Sequence, residues 1–72
     1  MWILSQDMKR LLEMEYAIFV SEQSIRMEEG PGCSSILGTY ESGERAEEIF
    51  KDLLRECSIY GNEFHIFTMP KK

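Results

Sequence analysis

Histidine, cysteine and proline are scarce in this chain, at one, two and two among 72 residues. Cys33 and Cys57 lie 24 positions apart with no CxxC pair, a pattern that writes neither a zinc module nor a disulfide framework. A secreted domain of this size ordinarily carries more cystines, so a reduced, cytoplasmic protein is the expectation. No apolar run approaches the roughly 20 residues of a membrane helix. The opening "WIL" stops after three residues, too short for the core of a signal peptide, so none is expected. Cations are also few: eight Lys and Arg against thirteen Asp and Glu give a formal charge of −5. Binding to phosphate backbones relies on clustered cations, and this balance argues against nucleic-acid partners. The local basic spots, Lys9 with Arg10 and Lys71 with Lys72, sit beside turns or ends and read as solvated charge.

What is present suffices to fold. A content of 43% hydrophobic, 11% aromatic and 29% charged residues is a globular mixture. The length predicts one domain over 1–72 with no linker, burying about 60% of its unfolded surface and holding roughly 4–10 kcal/mol of stability. The strongest local pattern is "ESGERAEEIFKDLLREC", in which Ala46, Ile49, Phe50, Leu53, Leu54 and Cys57 recur at the spacing of one helical face. Charged residues from Glu44 to Glu56 fill the other side. Ser42 is placed to cap this helix, Glu44 suits its positive end and Arg55 its negative end, and Glu47 stands one turn before Lys51. "SIYGNE" is expected to end it, through Gly61 and Asn62.

Ahead of the helix, "WILS", "RLLEM", "YAIFV", "SIRME" and "SILGTY" are short, branched or aromatic, and divided by polar turns. "EFHIFTM" follows the helix, and Pro70 closes it. Connections as short as "QDMK" and "SEQ" suit antiparallel neighbours. The expected fold is therefore α+β, β-β-β-β-β-α-β: a curved antiparallel meander or partial barrel of five to six strands, packed by one late amphipathic helix. "EEGPGCSS" has the composition of a wide turn. Trp2, with Leu4, is expected on the inner side of the first strand beneath the helix, and Ile3 on the other.

"MWILSQD", "ILGTYESGERAEEIF" and "FTMP" together resemble a group of short proteins of low-GC Gram-positive bacteria and of their phages and mobile elements. The resemblance covers the two ends and the helix, about half of the chain. It implies a single cytoplasmic domain with a strand-rich front and a late helix, and it carries over no activity and no catalytic residue.

No candidate for chemistry stands out. His65 would be the natural base or metal ligand, but its setting, "FHIF", is an apolar strand without a nameable partner. Cys33, Cys57 and His65 lack the spacing of a nucleophile pair or a three-ligand metal site. Cys57 fits the helix as a small apolar residue, and Cys33 is the more exposed thiol. "GPG" leads into a strand and not into a helix with a phosphate-binding Lys, so it is a hairpin turn and not a phosphate loop. Phe67 and Met69 share one strand face and are expected in the core, while Met8 falls in a turn. The expectation is a non-enzymatic protein with no cofactor or metal, a protein-interaction or accessory factor of a phage, mobile element or Gram-positive host. Its partner would be another protein or a second copy, not nucleic acid and not a membrane. A regulator whose acidic surface imitates nucleic-acid charge is the alternative, motivated by the excess of acid in residues 13–30 and 41–57.

One sequence feature points past the core. Phe64 and Ile66 alternate with His65, Phe67 and Met69, and Ala17 and Phe19 alternate with Tyr16, Ile18 and Val20. A single helix cannot cover both faces of such strands. Either the sheet curls around a core, the favoured expectation, or one face is an interface.

Overall fold

In the computed structural model, which describes residues 1–14, 17–60 and 64–72, the chain forms six strands and one helix in the expected order. These are β1 (Trp2–Leu4), β2 (Leu11–Glu13), β3 (Ile18–Ser21), β4 (Ser24–Gly30), β5 (Cys33–Thr39), α1 (Gly43–Tyr60) and β6 (Ile66–Thr68). The expectations placed on Tyr16, Gly61 and Asn62 lie outside the described residues.

The strands divide into two three-stranded sheets, ordered β2-β1-β6 and β3-β4-β5, that do not close into a barrel. The favoured curled sheet is thus replaced by two open ones. Within the first, β1 pairs antiparallel with β2 but parallel with β6, so the sheet is not wholly antiparallel. Parallel pairing needs a long crossover, and everything from β2 to the end of α1 supplies it. The break in the meander falls between β2 and β3, which belong to different sheets.

Hairpin chemistry sets the second sheet. Ser21 and Ser24 pair across a two-residue turn, with Glu22 in the left-handed region at φ 56°. Gly30 and Cys33 pair across Pro31 and Gly32, and Gly32 has φ 74°. Proline followed by a glycine of positive φ is the signature of a type II turn, so the predicted wide loop is instead a tight hairpin with strand on either side. A bulge between Ile25 and Arg26 aligns Ile25 with Gly38 and leaves Leu37 facing inward as well.

One core joins both sheets to the helix. Ile3 from β1, Ile25 and Met27 from β4, Leu37 from β5, Tyr40, Ala46, Ile49 and Leu53 from α1, Phe67 from β6 and Met69 are all buried. The radius of gyration of 11.3 Å equals that of a tightly packed chain of this length, about 11 Å. Ser42 caps α1 as expected: its Oγ accepts from the Arg45 amide at 3.1 Å, and its carbonyl accepts from Ala46. The helix runs to Tyr60, within the "SIYGNE" segment expected to end it and three residues past the periodic stretch that closes at Cys57, and this leaves Arg55 short of the last turn. Of the six residues expected to form its buried face, Ala46, Ile49 and Leu53 do so, Phe50 and Cys57 are half-buried, and Leu54 is 49% exposed. The ion pairs on its outer side are Arg45–Glu48 and Asp52–Arg55, one turn apart, and not Glu47–Lys51.

The placement of Trp2 corrects the sequence reading. Ile3 is completely buried, whereas Trp2 and Leu4 are half-buried on the opposite side of β1. Side-chain volume suggested Trp2 as the anchor, but a strand offers only one parity to a core, and the small core beneath α1 takes the isoleucine.

Two polar residues hold the first sheet's connections. Ser5, a buried polar residue, donates its hydroxyl to Asp7 and accepts from the Arg10 amide at 3.1 Å, closing the turn between β1 and β2. Met8 in that turn has φ 62° and is exposed, as expected. Gln6 bridges the sheets: its amide N–H donates to Leu37 O at 2.8 Å, its Oε1 accepts from the Thr39 amide at 2.8 Å, and its Nε2 donates to Thr39 O and Lys71 O, both at 2.9 Å.

Candidate functional site

The outer face of β2-β1-β6 carries several large apolar side chains. Strand register fixes its composition. Trp2 is aligned with Glu13 on one side and Ile66 on the other, and Leu4 with Leu11 and Thr68. Directly aligned residues share a face, so the outer side consists of two rows, Glu13–Trp2–Ile66 and Leu11–Leu4–Thr68. Leu11 is 49% exposed, Ile66 40% and Phe64, two residues ahead of Ile66, 78%. Four of the six residues in the rows are large and apolar, and the one charge is the Glu13 carboxylate beside the indole. Among the described residues Glu13 makes no ion pair.

The inner side of the same sheet is occupied by the core residues Ile3 and Phe67, with Leu12 packed against them. Apolar residues therefore lie on both faces, as the alternation in "FHIFTM" implied. Since the sheet does not curl, the second face is left with Leu11, Ile66 and Phe64 exposed.

His65, the lone histidine, acquires the partner that sequence could not name. Its Nε2 lies 2.6 Å from Glu56 Oε1, and Tyr60 stacks on its ring with centroids 4.2 Å apart. Its carbonyl accepts from the Trp2 amide at 2.8 Å. The cluster ties the last turns of α1 to the start of β6 and the beginning of β1. A carboxylate bonded to one ring nitrogen orients an imidazole, and orientation is the role this geometry supports. The signal for it was present in sequence: Glu56 and Tyr60 stand one turn apart on the helix, four residues being one turn, but their partner could not be assigned before the crossover was known.

The remaining candidates are not gathered at one place. Cys33 is exposed at the hairpin, where with Phe19, Glu28, Gly32 and Ser34 it borders a shallow recess of about 270 Å³. Cys57 is half-buried on α1. No group of three or more His, Cys, Asp or Glu able to hold a metal ion occurs among the described residues. No helix among them is long and apolar enough to cross a membrane.

A cleft of about 550 Å³ opens between the capped start of α1 and the chain end, lined by Thr39, Tyr40, Glu41, Arg45, Lys71 and Lys72. Arg45 is committed within it, donating from Nε and Nη2 to Lys72 O at 3.2 and 2.9 Å and from Nη1 to Glu48 at 3.4 Å. Tyr40, although it borders the cleft, turns its hydroxyl away and back over Gly38, where the oxygen is buried without a hydrogen-bond partner. Burial pushes its phenol up to about 12, against a smaller lowering by Arg45. Lys9 and Arg10 lie in the connection between β1 and β2, at the same end of the first sheet as Lys71, and Arg10 is paired with Glu29 at 3.0 Å.

No family model, no curated protein and no solved structure matches this chain.

Proposed function

We propose that this chain is a small non-enzymatic protein-binding module that presents the outer face of β2-β1-β6 to a segment of another protein. The observation that carries the reading is the apolar composition of that face: Trp2, Leu4, Leu11 and Ile66 in two adjacent rows, with Phe64 beyond them. Leu11, Ile66 and Phe64 are exposed and Trp2 and Leu4 between them are half-buried; apolar side chains left partly in water side by side are costly to hydrate, and contiguous patches of this kind mark interaction sites. A role as an accessory factor of a phage, mobile element or bacterial host is compatible with this reading and belongs to the same proposal. The alternative, imitation of nucleic-acid charge by the helix, draws less support, because Arg45 and Arg55 neutralise Glu48 and Asp52 on that surface.

Selection from a displayed peptide library tests the proposal without knowledge of the partner. Peptides should be enriched on the immobilised protein, and their binding should be lost on L11E and I66E variants of unchanged circular dichroism while surviving F19S on the other sheet. Absence of enrichment, or enriched peptides that bind L11E as well as the parent, would overturn it.

A further inference from the structure

The same face also limits what kind of segment it can receive. The peptide N–H and C=O groups of a sheet lie in its plane, so a face offers side chains only. An extended peptide laid across it would leave its own backbone groups dehydrated and unpaired. The occupant must satisfy its backbone internally, which leaves a helix or the face of another sheet.

Size and charge separate these two. Three strands about 4.8 Å apart, each of three residues at about 3.3 Å, make a surface roughly 10 Å long and 15 Å wide. Its footprint is about 150 Å², against the roughly 800 Å² per partner of a standard stable interface. A second copy would have to build the rest of its interface from a chain of formal charge −5 meeting its like. One α-helix, about 10 Å in diameter, spans the two rows with two to three turns. The charge within the face then selects among helices. Glu13 lies beside Trp2 in the same row and makes no ion pair among the described residues, so a cation placed there meets both a carboxylate and an aromatic face.

We propose that the outer face of β2-β1-β6 docks a single amphipathic helix of another protein, its apolar stripe on Leu4, Leu11 and Ile66 and a Lys or Arg of its flank at the Trp2–Glu13 corner. This inference rests on the binding-module reading above and narrows it to one class of partner. The face is small, so binding is of the weak, exchangeable kind.

The test uses the full chain and two synthetic 15-residue peptides that share a leucine stripe at i, i+3, i+4 and i+7, one flanked by lysine and the other by glutamate. Titration of the isotope-labelled protein with the lysine peptide should move the Trp2 indole and the Leu4, Leu11 and Ile66 resonances to saturation and induce helix in the peptide. The glutamate peptide should bind at least tenfold more weakly, and E13K should weaken the lysine peptide by roughly tenfold and reverse the preference between the two. Equal binding of the two peptides, lysine-peptide binding unaffected by E13K, or shifts confined to the acidic side of α1 would overturn the inference. A concentration-dependent doubling of mass in sedimentation equilibrium, abolished by L11E, would overturn it in favour of a second copy. In each of those cases face-dependent library binders would leave the broader reading standing, whereas their absence would remove both.

Discussion

The two three-stranded sheets share one core but treat water differently. The outer side of β3-β4-β5 places Arg26 between Phe19 and Ile36, aligns Ser21, Ser24 and Thr39 in the next row, and sets Glu28 opposite Ser34. Its two exposed apolar groups are separated by a guanidinium, and Ser24 and Thr39 hydroxyls bond to each other at 3.0 Å. The outer side of β2-β1-β6 has no such arrangement, since Trp2, Leu4, Leu11 and Ile66 adjoin one another. Strand alternation therefore produces the ordinary in-and-out pattern in one sheet and a doubly apolar sheet in the other. A hydrophobic residue count cannot distinguish these outcomes; only pairing register does.

The largest effect expected from breaking this contrast is at adjacent positions of β1. Ile3→Ala removes a completely buried side chain and should cost about 2–5 kcal/mol, enough to unfold much of a population whose total stability is roughly 4–10 kcal/mol. Trp2→Ala removes a larger but half-buried side chain and should cost only about 1–2 kcal/mol. Urea denaturation of the two variants, with Ile3→Val as a milder companion, measures the ordering. A greater loss at Trp2 than at Ile3 would show that the core-facing parity of β1 had been assigned the wrong way round.

That parity also marks how far the sequence could be followed. Element order, the Ser42 cap and the burial of Ala46, Ile49, Leu53, Phe67 and Met69 follow from local spacing, and local spacing is physical information carried by a few neighbouring residues. The face chosen by β1 is not. "WIL" is apolar at every position, so its alternation gives no direction, and the choice of Ile3 over Trp2 depends on which strands lie alongside. The parallel pairing of β1 with β6 joins residues 2–4 to 66–68, and the Gln6 bridge to Leu37, Thr39 and Lys71 is equally remote in sequence. The same holds for Glu56 and His65, whose contact depends on where the crossover sets the strand. The candidate site was half legible: alternation in residues 64–69 exposed a second apolar face, but its neighbours Trp2, Leu4 and Leu11 came only with the register.

Smaller effects sharpen the description of the other sheet's inner side. A Cβ at Gly38 would lie 2.7 Å from the Tyr40 hydroxyl and 3.1 Å from two of its ring carbons. Gly38→Ala should therefore cost about 1–3 kcal/mol through overpacking, and part of that cost should vanish in the Tyr40→Phe background, where the nearest atom is gone. Tyr40→Phe alone should stabilise by about 1 kcal/mol, because the hydroxyl it deletes is buried without a partner. In alkali the phenol gives a second reading. Its pKa rises on folding from 10.0 to about 12, so the folded chain holds a proton that the unfolded chain has released. That contribution is complete below pH 10 and is lost as the pH climbs to about 12. The Phe variant should lack this part of the alkaline decline in thermal midpoint, and a slope equal to the parent's would place the hydroxyl in water instead.

The smallest expected effect lies at the seam between the sheets, on the acid side. Asp7 is held below its ordinary value of 3.8, first by the Ser5 hydroxyl and next by the Lys9 amide. Glu29 is held below 4.5, first by the Ser35 hydroxyl and then by Arg10, which reaches across from the turn after β1. Depressed carboxylates contribute stability above their unfolded pKa and lose it as the pH falls through the folded values, so both contributions fade below about pH 4.5. Asp7→Asn with Glu29→Gln should flatten the fall in thermal midpoint between about pH 4.5 and 2. Salt separates the two sites. The exposed Arg10–Glu29 pair is screened, whereas the local Ser5–Asp7 bond closes its turn at any ionic strength. The loss in thermal midpoint that Glu29→Gln causes relative to the parent should therefore shrink at high salt, while the loss caused by Asp7→Asn stays the same; equal salt dependence of the two losses would mean that long-range charge, and not the hydroxyl within the turn, sets the Asp7 carboxylate.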